Sequence, residues 1–166
     1  MISFPDASGL RPTPDRVRET LFNWLGQTLY GRTCLDLFAG SGALGFEAAS
    51  RGAAQVVMIE KNPAVFRALQ DNLKKLGCAE VFIQGQDGLE FALRDAKRYD
   101  VIFLDPPFQG GYLPKLLEIL QQRLNEKGVL YVESGTAIDA APPWQVLKSG
   151  KAGQVHYQLL NCRGGS

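Results

Sequence analysis

Apolar and polar positions along this chain alternate between short apolar runs and longer stretches of helical period. Val17, Leu21, Trp24, Leu25 and Thr28 recur at helical spacing behind Thr13-Pro14-Asp15. Threonine there can cap, proline suits the first helical position and aspartate complements the helix dipole, so a first helix docked by one face is predicted. Cys34-Leu-Asp-Leu-Phe38 predicts a short buried strand running into a glycine turn, with a helical pattern over Phe46 to Ser50. Gln55 to Glu60 predicts a second strand. Pro63 to Leu76 predicts a helix with Val65, Leu69, Leu73 and Leu76 on one stripe and Gly77 at its C-cap. Val81-Phe-Ile83 predicts a third strand, followed by a short helix ending near Leu93.

Tyr99 to Leu104 predicts strand four, Leu113 to Leu124 a helix, and Gly128 to Glu133 strand five. The tail alternates over Gln145 to Lys148, turns through Ser149-Gly-Lys-Ala-Gly153 and returns over Val155 to Leu160, a β-hairpin signal. Alternating β and α elements call for a mostly parallel sheet with helices on both faces. The expectation is an α/β fold: a seven-stranded sheet, mostly parallel, with a C-terminal antiparallel hairpin.

The chain of 166 residues is expected to form a single domain (1–166), of which 1–12 is an irregular lead-in with two prolines and a glycine. No apolar run reaches the roughly 18 residues of a transmembrane helix. Met1 to Asp6 has neither the basic head nor the apolar core of a signal peptide, so a cytoplasmic location is expected. Cys34, Cys78 and Cys162 are far apart and odd in number, which argues against a disulfide framework or a metal site. Net charge is +1, so a nucleic-acid partner would need a local basic patch. Arg11, Arg16 and Arg18 flank the first helix start and divide evenly between solvated side chains and contacts to a phosphate backbone.

The glycine turn carries Gly40, Gly42 and Gly45 in G-x-G-x-x-G spacing. Gly40 permits a sharp turn, Gly42 leaves room for a ligand against the main chain, and Gly45 lets the next helix approach the sheet. The spacing alone is a weak signal. Its context strengthens it, because Asp36 lies at the end of the first strand and Glu60 ends the second. An acid at that second position is placed to accept hydrogen bonds from both hydroxyls of a ribose. Asp87 falls at the tip of strand three, as a helix N-cap, a pocket acid or both.

Asp105-Pro-Pro-Phe108, directly after strand four, is the most specific feature. Two prolines make a rigid turn without backbone donors. The Asp105 carboxylate and Pro106 carbonyl could grip both hydrogens of a planar amine, and Phe108 offers a face for a base to stack on. An exocyclic nucleobase amine is a poor nucleophile because its lone pair is delocalised. Two fixed acceptors favour a more tetrahedral nitrogen aimed at an electrophile, a gain in orientation and electrostatic preorganisation. Glu133 ends strand five on the same rim without an assigned task; His156, in the tail hairpin, is not expected to be catalytic, and Cys34, Trp24 and Trp144 read as packing residues.

Asp36-Leu-Phe-Ala-Gly-Ser-Gly-Ala-Leu-Gly45 with Asp105-Pro-Pro-Phe108 resembles the Rossmann-like class I S-adenosylmethionine-dependent amino-methyltransferases. Leu10-Arg-Pro-Thr-Pro-Asp-Arg-Val-Arg-Glu-Thr-Leu-Phe-Asn-Trp-Leu25 and Lys151-Ala-Gly-Gln-Val-His-Tyr157 are similar to the bacterial 16S ribosomal RNA guanine-N2 methyltransferase family, RsmD. The resemblance implies that Asp36 and the Gly40-Ser41-Gly42 turn hold the methionine part of S-adenosylmethionine. It implies Glu60 on the ribose and Asp87 on the adenine amine, with Phe38, Lys61 and Gly88 alongside. Asp105, Pro106 and Phe108 would hold the target guanine, extruded from its RNA fold, and Arg11, Arg16 and Arg18 would favour phosphate. The implied partner is 16S rRNA in the small subunit or its assembly intermediate, acted on by a monomer without metal. Members of the family begin with a basic hairpin upstream of Leu-Arg-Pro-Thr; nine residues precede Leu10 here, so that hairpin is expected to be missing.

Three other readings compete. The glycine spacing and Glu60 also suit an NAD-binding Rossmann domain, though no second half for a substrate follows and Asp105-Pro-Pro-Phe108 has no role in hydride transfer. A non-catalytic RNA-binding or assembly module would not need those acids. Another nucleobase amine, in DNA or other RNA, is the third; Asp105 in place of asparagine leans away from protein-glutamine and many adenine enzymes.

Overall fold

The structure, a computed structural model, describes residues 15–26, 28–106, 112–138 and 141–162. Its elements in chain order are α1 (Asp15–Leu25), β1 (Thr33–Asp36), α2 (Ala43–Ser50), β2 (Gln55–Ile59), α3 (Pro63–Leu76), β3 (Val81–Gln84) and α4 (Gly88–Arg94). Then follow β4 (Tyr99–Leu104), α5 (Tyr112–Leu120) with a 3₁₀ turn over Gln121–Arg123, β5 (Leu124–Ser134), β6 (Trp144–Ala152) and β7 (Val155–Cys162). One seven-stranded sheet runs in the order β3-β2-β1-β4-β5-β7-β6. The first five strands are mutually parallel, and β7 is antiparallel to both β5 and β6.

The period-two alternation of the strands divides the core in two. Cys34, Val56, Met58, Val101, Phe103 and Tyr131 face α1, α2 and α3. Leu35, Val57, Ile102, Leu104, Leu130 and Val132 face α4 and α5. Both faces of the central strands are therefore dry, as a parallel sheet requires. Val17, Leu21 and Phe22 are the buried face of α1; the Thr13-Pro14 cap lies outside the described residues. Asn62 caps α3 by accepting the Ala64 and Val65 N–H groups, and Gly77 closes it in the left-handed conformation.

Several boundaries differ from the sequence expectation. Helix α2 begins at Ala43 rather than Phe46, because Gly42 with φ 82° turns the chain straight into it. The last predicted helix ends at Leu120, and β5 starts at Leu124 instead of Gly128. Leu124 pairs with Tyr99 before a register irregularity. At Gly128 a Cβ would lie 2.8 Å from the Asn125 carbonyl and 3.0 Å from that of Tyr99, so Asn125 to Gly128 is a bulge pressed against β4. The hairpin turn is not Ser149 to Gly153: β6 continues to Ala152, which pairs with Val155. Gly150 is needed there because a Cβ would lie 2.4 Å from the Tyr157 ring, its register partner, and that ring stacks on Trp24 of α1 at 5.3 Å. Trp144 is buried, with its indole N–H donating to the Leu117 carbonyl at 2.9 Å.

Candidate active site

Because β1 to β5 run parallel, their C-terminal ends share one edge, where open α/β sheets bind ligands. The turn after β1 is held from three sides. Leu37 N–H donates to the Phe103 carbonyl of β4 at 3.2 Å and Ala39 N–H to the Ile59 carbonyl of β2 at 2.9 Å. Gly45 N–H, in the first turn of α2, donates to Asp36 Oδ2 at 3.2 Å. Gly40 (φ 55°) and Gly42 (φ 82°) are left-handed, which glycine adopts without a steric penalty. The volume a Cβ would need at Gly42 is taken by Leu69 and Phe46, both 2.6 Å away, so this glycine serves the protein's own packing. At Gly45 a Cβ would fall 2.3 Å from Met58 Cε, so α2 lies directly on β2.

Glu60 ties the first two loops together. Its Oε1 accepts the Gly40 N–H and its Oε2 the Asn62 N–H, each at 2.9 Å. A carboxylate has about four acceptor positions, so two remain for other donors. Exposed Lys61 lies between Glu60 and Asn62. Asp87 caps α4 by accepting the Glu90 N–H at 3.1 Å. At Gly88 a Cβ would lie 2.7 Å from the Phe38 ring and 2.8 Å from the Leu37 carbonyl, so the loops after β1 and β3 press together there. Phe38, Gly40, Glu60, Asp87 and Gly88 thus form one continuous rim. Ser41 is buried within the turn, where its hydroxyl accepts the Ala43 N–H at 3.4 Å.

Asp36 is 3% exposed, and burial pushes its carboxyl up to about 7. The Gly45 hydrogen bond opposes that rise, while the Glu60 and Glu133 carboxylates reinforce it. Asp105 and Pro106 follow β4 and are half-buried. The β1/β4 register pairs Asp36 with Phe103, so Asp105 leaves the sheet beside the turn after β1. Phe108 and Arg11 lie outside the described residues. Arg16 is exposed, whereas Arg18 is paired with Asp15 at 3.1 Å and with Glu47 at 3.9 Å.

Sequence reasoning missed Tyr131, whose hydroxyl donates to Glu133 Oε2 at 2.9 Å inside the rim. The Tyr-Val-Glu alternation at a strand end was the available signal. It also missed Asn62, whose side chain caps α3 while its N–H meets Glu60.

The rim suits S-adenosylmethionine on the chemistry of its donor set. Besides burial, the charges of Glu60 and Glu133 raise the proton affinity of Asp36, a repulsion that a sulfonium cation would relieve. Glu60 retains acceptor capacity for ribose hydroxyls. Among the described residues no group of three or more His, Cys, Asp or Glu could hold a metal ion, and no helix is long and apolar enough to cross a membrane.

A dinucleotide-binding Rossmann sheet has the order 3-2-1-4-5-6. Here an antiparallel β7 is inserted between β5 and β6, and with the rim described above this is the Rossmann-like methyltransferase fold. Residues 1–161 match the family model described as Conserved hypothetical protein 95, the RsmD family, and the chain belongs to that family. It is 41% identical over 160 residues to Ribosomal RNA small subunit methyltransferase D of Escherichia coli (strain K12), across 93% of this chain and 81% of that protein. The protein of the same name from Haemophilus influenzae is 39% identical over 162 residues, across 93% of this chain and 84% of its own length. The solved structure of yhhF from Escherichia coli superposes with a TM-score of 0.87 at 39% identity, over 96% of this chain and 91% of that one. The chain is a methyltransferase.

Proposed function

We propose that this enzyme transfers a methyl group from S-adenosylmethionine to the exocyclic N2 of a guanine in 16S rRNA. The substrate would be the small ribosomal subunit or its assembly intermediate, met in the cytoplasm by a monomer. The observation that carries the reading is the β1/β4 register, Asp36 beside Phe103, which sets Asp105-Pro106 next to the glycine turn. The names of the curated relatives support ribosomal RNA of the small subunit as substrate.

In this reading Asp36 organises the turn from beneath through Gly45, and the turn at Gly40, Ser41 and Gly42 receives the methionine part of the cofactor. Glu60 accepts the ribose hydroxyls with the lone pairs its two backbone hydrogen bonds leave. Asp87 and Gly88 bound the adenine, with Phe38 and Lys61 beside it. When bound, the cofactor supplies an electrophilic methyl on sulfur. The Asp105 carboxylate and Pro106 carbonyl accept the two N2 hydrogens, and Phe108 stacks on the base. With both hydrogens held, the nitrogen lone pair would be free to face the methyl donor. Methyl transfer would form an N–C bond as the cofactor's C–S bond breaks, and the amine nitrogen would give up one proton, which Asp105 would pass to water. Arg16 and Arg11 approach the RNA backbone, whereas Arg18 is held by Asp15 and Glu47, and the electrostatic attraction falls with salt.

Incubation of small-subunit RNA and of small-subunit particles with labelled cofactor, followed by nucleoside mass spectrometry, tests this. One N2-methylguanosine is expected in one of the two substrates. Label on adenine or cytosine, or on protein alone, would overturn the assignment.

A further inference from the structure

Glu133 is the rim acid to which this mechanism gives no task. It is 6% exposed, and its Oε2 accepts the Tyr131 hydroxyl at 2.9 Å. Tyr131 is fully buried, and its ring stands edge-on to Phe103 of β4 with centroids 6.4 Å apart. The β4/β5 register pairs Phe103 with Tyr131 and Leu104 with Val132. Asp105 and Glu133 are the next residues on each strand, so they reach the rim at one level, and Glu133 faces Tyr157 of β7 on its other side. Burial, then the charges of Glu133 and Asp105, hold the Tyr131 phenol protonated far above the ordinary tyrosine range, so it remains a donor. For packing alone an apolar side chain of similar volume serves better than a buried carboxylate. The acid here has a specific partner, and that partner's ring abuts the strand that ends in Asp105.

We propose that Glu133 is a positioning residue for Asp105: it holds the Tyr131 hydroxyl, and the Tyr131 ring against Phe103 sets how Asp105 and Pro106 leave β4. The proposal rests on the amine-gripping role given to Asp105 above. Tyr131→Phe and Glu133→Ala each remove the hydrogen bond, whereas Glu133→Gln keeps an acceptor. The first two should lower kcat by ~10- to 100-fold, the scale for a small misplacement of reacting groups. Calorimetric affinity for S-adenosylhomocysteine should stay within about twofold, and the double variant should be no worse than either single, as expected of residues acting as one unit. Glu133→Gln should recover most of kcat. The ¹³C carboxyl resonance of Asp105, assigned with Asp105→Asn, should move in Tyr131→Phe and Glu133→Ala and return in Glu133→Gln.

Wild-type kcat in Tyr131→Phe, additive losses in the double variant, or an unmoved Asp105 resonance would each overturn the proposal. If Glu133→Ala does not fold, Tyr131→Phe decides alone. A wild-type protein inert on every RNA would sink the methyltransfer reading, and the Asp105 resonance would still decide whether Glu133 positions it.

Discussion

Glu60 accepts the Gly40 N–H at 2.9 Å, so the acid that ends the second apolar run closes the glycine turn after the first. The same carboxylate holds Asn62 at the start of α3. One side chain therefore shapes the turn after β1 and the start of α3 together.

Glu60→Ala should weaken cofactor binding by ~1–3 kcal/mol, the scale for losing hydrogen bonds to a charged group. Titration calorimetry with S-adenosylmethionine reads this directly, and an unchanged Kd would remove Glu60 from the cofactor site.

Asp105→Ala should cut kcat by ~100-fold or more, comparable to deleting a preorganised transition-state contact. Cofactor affinity should barely change, since the role proposed for Asp105 is on the base rather than on the cofactor. A variant with full kcat would contradict the amine-gripping role.

Asp36 makes stability depend on pH. The folded protein keeps its carboxyl proton up to about 7, whereas an ordinary aspartate releases it at 3.8. Between those values the folded state binds more protons than the unfolded one, so this group's contribution to stability falls as pH rises and is flat above the window. Asp36→Asn should remove that slope. Urea midpoints measured across the window would show it, and a variant with the wild-type slope would refute the assignment.

Gly150→Ala should destabilise the fold by ~1–3 kcal/mol, the usual cost of overpacking. The new methyl meets the Tyr157 ring, which is stacked on Trp24. Trimming the ring with Tyr157→Leu should reduce the loss, as thermal denaturation of the single and double variants would reveal.

Arg16→Glu should weaken RNA binding more at low salt than at high, because phosphate contacts release counterions. Arg18→Ala should act instead on the α1–α2 contact, since its guanidinium already meets Asp15 and Glu47. Filter binding at two salt concentrations separates these effects, and an equal loss at both for Arg16→Glu would indicate a folding defect.

The order of elements was legible because period-two and period-3.6 patterns are local properties. Strand β4 and helix α3 have the bounds that the sequence predicts. Glycine was the ambiguous residue: Gly150 read as a turn former and Gly128 as the start of a strand, yet each is required by a neighbour that arrives from elsewhere in the chain, Tyr157 in one case and the β4 backbone in the other. The same limit applies to acids. Sequence placed Asp36, Glu60, Asp87, Asp105 and Glu133 at the ends of elements but could not say what each touches. The chain by itself determined that apolar strands end in glycine, acid or proline, because hydrophobic period and backbone restriction are written residue by residue. Only the tertiary structure decided that Asp36 lies buried beneath the turn, that Glu60 closes it, and that Glu133 ends level with Asp105 while accepting the Tyr131 hydroxyl. Strand order and register are set by the simultaneous burial of both sheet faces, a condition on the whole molecule that no single segment contains.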